Sequence, residues 1–213
     1  MQKLLILLLI FPSILSGQTV FYNMVDLYKQ GSLIVQDERI SVEKEGSMEC
    51  IYLDEKLKGK AILLPVPDFS KGKITIVARG KDVFQGSFLR IAFHALNDSI
   101  FDLVYCRPFN FRTTDSLRSI HMIQYAYFPT LDWQILRTKY SGIYEKGIEN
   151  PPEADAWFEM TLEITEKEVN AFINSLIIPS LVVNKLNNNS IGKVGIFGTN
   201  AYFESVQIQY ANK

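Results

Sequence analysis

The amino-acid sequence predicts an all-β fold, an antiparallel sandwich of jelly-roll type with one short helix in a long loop. Apolar residues recur with a period of two along most of the chain, and Gly, Pro, Asn and Asp cluster between the runs. No helical periods alternate with these runs, as a parallel sheet would require.

Residues 1–17 read as a secretory signal peptide. Lys3 gives a positive start, Leu4 to Phe11 form an apolar run, and Ser16-Gly17 supply a small-residue cleavage region. The run is too short for a comfortable permanent anchor, and no cysteine follows it to carry a lipid. Residues 18–213 then suit one domain with a sizeable core. Strands are expected at 40–42, 49–53, 61–64, 73–78, 89–94, 119–127, 158–164, 169–174, 181–183, 193–197 and 202–209. The clearest is the fifth from last, where Phe158, Met160, Leu162 and Ile164 alternate with Glu159, Thr161, Glu163 and Thr165. Residues 129–156 break the pattern. Trp133, Leu136, Arg137 and Tyr140 recur at a helical interval, with Asp132 at the start and Gly142 past the end. A connection of that length in a β domain is a binding loop or a lid, or it closes one end of the sandwich.

Charge excludes some partners. The chain has 22 Lys+Arg and 23 Asp+Glu, and removing Lys3 with the leader leaves 21 basic against 23 acidic residues, a net of −2. That balance provides no footprint for nucleic acid or for an anionic membrane. Cys50 and Cys106 can pair in an oxidising compartment or stay as free buried thiols. Two cysteines and two histidines make no zinc or haem spacing, so no cofactor and no metal is expected, although oxygens near Asn97-Asp98 or Asn187 to Asn189 suit calcium in kind.

The residues with chemistry concentrate between Phe101 and Trp133. Arg107, Arg112, Arg118 and Asn110 offer planar donors for oxygen pairs, beside His121, Gln124 and a run of aromatic rings whose faces suit the apolar side of a sugar. On a continuous strand over 119–127, His121 and Tyr125 share one face, with Arg107 and Asn110 arriving from the preceding strand. The alternative is an internal His bonded to Tyr125 and a buried Arg paired with Asp102 or Asp115. Arg90 and His94 form a second same-face pair. Glu153-Ala154-Asp155-Ala156-Trp157-Phe158-Glu159 approaches a paired-carboxylate strand motif, but its last acid is one residue too far.

The segments FLRIAFHALND-SIFDLVYCRPFNFR, RSIHMIQYAYFPTLDWQILR, KYSGIYE and DAWFEMTLEITEKEVNAFIN resemble exported bacterial proteins of the concanavalin A-like lectin/glucanase superfamily. The nearest groups are the 3-keto-disaccharide hydrolase (DUF1080) and laminin-G-like proteins. The resemblance covers about residues 71–209. It departs at Ser175, at Phe197-Gly198-Thr199-Asn200 and at Cys106, where an aromatic residue is usual. It implies a carbohydrate or glycoside ligand and a secreted or periplasmic protein, contacting the ligand through Arg107, Asn110, Arg118, His121, Gln124, Tyr125 and Trp133. Its hydrolase relatives imply an alternative, with His121 or Asp102 as base and Arg107 or Arg118 stabilising an oxyanion. A third reading is a structural or interaction domain of the envelope.

Overall fold

In the computed structural model, residues 17–33, 40–54, 61–174 and 177–212 are described. The expected leader, save Gly17, lies outside them. The chain runs through β1 (Thr19–Asn23), α1 (Met24–Lys29), β2 (Ile40–Glu45), β3 (Met48–Leu53), β4 (Ile62–Leu63), β5 (Gly72–Arg79), β6 (Phe88–Ala95) and β7 (Phe101–Cys106). A 3-10 turn, Pro108–Asn110, and α2 (Ser116–Ser119) lead to β8 (Ile123–Phe128), α3 (Trp133–Lys139) and β9 (Glu145–Lys146). Then follow β10 (Trp157–Ile164), β11 (Glu168–Ile173), β12 (Leu181–Asn184), β13 (Lys193–Thr199) and β14 (Ala201–Tyr210).

These strands form two antiparallel sheets, an all-β sandwich as the periodicity predicts. One sheet has the order β12-β11-β10-β5-β14-β3-β2, with β1 also on β14. The other has the order β4-β13-β6-β7-β8-β9. Strand β14 holds β5 along one edge, and on its other edge β3 pairs with Ala201 to Phe203 and β1 with Ser205 to Gln209. A bulge between Phe203 and Ser205 shifts the alternation by one residue. Phe203 and Val206 can therefore both enter the core.

The main core lies between the sheets. Ile74, Ile76, Met160, Leu162, Phe203 and Ile208 from the larger sheet meet Leu89, Ile91, Phe93, Val104, Ile123 and Ile196 from the smaller. The larger sheet keeps a wet outer face, where Thr75 and Thr161 hydroxyls meet at 2.9 Å and Lys73 pairs with Glu163. The smaller sheet is apolar on both faces. Its outer face carries a second cluster of Ala92, Phe101, Leu103, Tyr105, Ala126 and Phe197, against which Leu136 of α3 packs. This explains α3: Asp132 caps it by accepting from the Gln134 and Ile135 amides, and its one buried residue points at the sheet.

Two features differ from the pattern read in the sequence. The strand expected over 119–127 starts only at Ile123, because Asp115 accepts from the Leu117 and Arg118 amides and nucleates α2. Asn23 likewise caps α1 in a region with no expected element. Cys50 and Cys106 are both buried and free. Burial pushes both thiols up, and Cys106 Sγ sits 3.6 Å from Met160 Sδ inside the core.

One end of the core is polar. Tyr125 donates to Asp102 Oδ1 at 2.5 Å and accepts from the Leu186 amide at 3.0 Å, and Asn187 donates to the same Oδ1. His94, with φ of 48°, interrupts β6 so that Phe93 and His94 both turn inward; its Nε2 lies 2.7 Å from the Ser70 carbonyl. A carbonyl can only accept, which assigns the proton to Nε2 and leaves Nδ1 facing Asp102 Oδ2 at 3.6 Å. This cluster fastens two loops to the core. Replacing Tyr125 with Phe strands the Leu186 N–H and removes a donor from a buried carboxylate. It should lower stability by about 1–3 kcal/mol, measured as the change in urea-unfolding free energy at constant m.

Candidate functional site

The register of the smaller sheet lines up five side chains across five strands. Phe197 pairs with Arg90, Arg90 with Tyr105, Tyr105 with Gln124, and Gln124 with Glu145. Directly opposed residues share a face, and Phe197 and Tyr105 belong to the outer cluster. The row therefore crosses the outer face of β13, β6, β7, β8 and β9. At roughly 4.8 Å per strand it spans on the order of 19 Å.

A hydrogen-bond network fixes the middle of the row. Gln124 Oε1 accepts from Arg107 Nη2 at 2.5 Å and from the Tyr105 hydroxyl at 2.8 Å. Arg107 Nη2 also donates to the Tyr105 hydroxyl, and Nη1 donates to the His121 carbonyl at 3.1 Å. Asn110 donates to that same carbonyl, and Arg118 Nε donates to Asn110 Oδ1. The Gln124 amide is thereby oriented, and its Nε2 is buried without a hydrogen-bond partner. An unmet buried donor costs about 1–3 kcal/mol, and Gln124 is fully covered, with Tyr105, Arg107, Glu145 and Phe197 also buried beside it.

The two ends of the row differ in charge. Arg90 is half-buried, its guanidinium carbon 4.5 Å from the Phe88 ring, 5.0 Å from Phe197 and 5.8 Å from Tyr105. Burial pushes its pKa down to about 10, with Arg107 adding like-charge repulsion and Tyr105 opposing both. Among the described residues no carboxylate is paired with it. At the other end Glu145 is buried and gripped by Arg137, Nε to Oε1 at 2.8 Å and Nη2 to Oε2 at 2.7 Å. His121 Nδ1 approaches Oε2 at 2.7 Å, off the axis of a good hydrogen bond. Arg137 in turn lies 5.0 Å from the ring of Trp133, which is 42% exposed.

The structure divides the residues anticipated from sequence among three places. Arg107, Gln124, His121 and Trp133 belong to the outer face or its margin. Asn110 is buried behind it, and Arg118 borders a separate hollow of about 360 Å³ lined by Asp82, Phe109, Arg112, Thr114 and Glu153. Asp102 and Tyr125 are fully buried on the inner face. His121 and Tyr125 thus do not stand side by side, since β8 begins after His121. Nor do Arg90 and His94 share a face, because His94 turns into the core. Glu153 and Asp155 border the hollow while Glu159 is on β10, so the three acids of that motif do not share a strand. Arg90 was expected to act beside His94, and Tyr105, Glu145 and Phe197 were not among the anticipated site residues. Only strand register, which joins positions far apart in sequence, brings them together.

No protein-family model matches the chain, and no curated protein matches it. Solved structures do share its architecture. The Crh5 transglycosylase in complex with NAG superposes with a TM-score of 0.52 at 14% identity, covering 92% of this chain and 86% of that one. A Bacillus subtilis protein of unknown function with a galectin-like fold superposes with a TM-score of 0.51 at 13% identity, covering 82% and 87%. What these share with the chain is architecture, not membership of the 3-keto-disaccharide hydrolase group.

Burial holds the His121 pKa below its ordinary 6.5, against the attraction of Glu145 and with Arg137 and Arg107 reinforcing the shift. The folded protein resists a proton that the unfolded chain accepts. Stability is therefore complete above pH 6.5 and declines as pH falls through the lower folded value. An NMR titration should place the His121 midpoint below 6.5, and Glu145→Gln should move it lower still.

Proposed function

We propose, for a chain with the concanavalin A-like lectin/glucanase fold, that the outer face of its smaller sheet binds a carbohydrate or glycoside across the Phe197–Arg90–Tyr105–Gln124–Glu145 row. The row is the observation that carries this reading. Aromatic rings beside oriented donors match the alternation of C–H faces and hydroxyls on a sugar; on this face Arg90 and Trp133 keep exposed surface, while Tyr105, Gln124, Glu145 and Phe197 are buried beneath. Arg107 holds Gln124 and Tyr105 in place, His121 and Trp133 border the Glu145 end, and Asn110 and Arg118 support the Arg107 side. The NAG bound in the Crh5 complex belongs to that protein, and it agrees with the ligand class proposed here. Residues 1–17, in this reading, direct the protein to a secreted or periplasmic location.

A second reading, a glycoside or 3-keto-disaccharide hydrolase, is favoured by one observation: His121 stands beside a carboxylate with its ring partly exposed. His121 would then be the base, beside Arg107. Asp102 is separated from it by the sheet, so the two do not act on one point. Release of product from keto-disaccharides, lost in His121→Asn, would support this reading.

The binding reading is tested by calorimetry on hits from a glycan array. Trp133→Ala, an exposed change that spares the core, and Arg107→Lys, which keeps the charge but loses the fork, should each weaken binding at least about tenfold. Thermal melts serve as the folding control. Unchanged affinity in both variants would end the assignment.

A further inference from the structure

The charges on this face do not balance. Three guanidiniums, those of Arg90, Arg107 and Arg137, share it with one carboxylate among the described residues, Glu145, and Arg137 already grips both oxygens of that carboxylate. Arg107 spends its donors on neutral acceptors, the His121 carbonyl, the Tyr105 hydroxyl and Gln124 Oε1. Arg90 has three rings around it and Arg107 near enough to repel it. Ring faces attract a cation by about 0.5–1 kcal/mol at exposed sites and about 2 kcal/mol when desolvated, whereas a fork of planar donors is matched in full by an anion. Arg90 is only partly buried, unlike Arg107.

We infer that the ligand of this face is anionic, and that Arg90 receives a carboxylate or sulfate group on the glycan through its guanidinium fork while Phe88 and Phe197 pack beside it. Planar oxygen pairs match that fork with two parallel hydrogen bonds, a geometry an ammonium lacks. The inference rests on the proposed glycan reading and narrows it to acidic chains, those bearing uronic acids or sulfate esters. It also accounts for a cation held where it does not help the fold: a binding group can be retained at the expense of stability.

Two measurements test it. In the first, sulfate ion is titrated into the wild type and into Arg90→Gln, with sodium chloride matched for ionic strength, and the melting midpoint is followed. For a millimolar site, a tenfold excess over Kd should raise the wild-type midpoint by about 2–4 °C, and the variant should gain less than half of that. Equal protection of both proteins overturns the inference. In the same assay without added anion, Arg90→Met should melt no lower than wild type. A large drop would show that Arg90 has an internal partner, and would also overturn it.

The second measurement compares matched chains: oligogalacturonate against its methyl ester, and a sulfated galactan against its desulfated form. The acidic member of a pair should bind at least about tenfold tighter, with the preference collapsing in Arg90→Gln and the pair that responds telling carboxylate from sulfate. Equal binding of acidic and neutral members overturns the anion inference and leaves the glycan reading intact. Arg90-dependent sulfate protection without binding of any of the four chains upholds the anion site and counts against the glycan reading.

Discussion

A sheet largely covered on both faces leaves little water for the polar groups it carries. In the smaller sheet that constraint shapes everything around it. Phe101, Leu103, Ala126 and Phe197 need cover on the outside just as Val104, Ile123 and Ile196 do on the inside. Helix α3 supplies part of the outer cover through Leu136, and the grip of Arg137 on Glu145 ties the helix to the sheet edge. Polar side chains that remain must then bond to one another. Arg107, Tyr105 and Gln124 do so as a closed triangle, and Asp102, Tyr125 and Asn187 do so on the opposite face.

Where the sheet is satisfied and where it is not separates support from function. Atoms with partners hold the loops and the helix in place. Among the described residues of the outer face and its margin, Gln124 Nε2 and His121 Nδ1 are buried without a hydrogen-bond partner, and Arg90 has aromatic rings for neighbours and no paired carboxylate. A surface built for packing alone has no use for donors left over in a half-dry setting. Placing them on strands, with aromatic rings between, gives a rigid platform whose donors need little reorganisation when an acceptor arrives.

The sequence was most legible where one face of a strand meets water. Along β10, Phe158, Met160, Leu162 and Ile164 alternate with polar neighbours, and the strand falls where that pattern says. Along β7 all six residues are buried, so hydrophobicity carries no period to read. Local polar groups hid other boundaries: Asp115 caps and starts α2 where a strand from residue 119 was expected, and the left-handed conformation of His94 turns two neighbours to one side. The importance of Arg107 was visible because its neighbours in sequence are also its neighbours in space. Arg90 was read beside His94, the wrong neighbour, since Tyr105 and Phe197 reach it only through ladders formed by distant strands.

Strand β14 has a consequence for how such a molecule is made. Residues 201–210 lie against segments more than a hundred positions earlier, β5 on one flank and β1 and β3 on the other. Until they have been synthesised, the larger layer is three unconnected pieces with bare edges, and contacts this remote form slowly because a long stretch must first be closed into a loop. The polypeptide therefore stays open until late in synthesis.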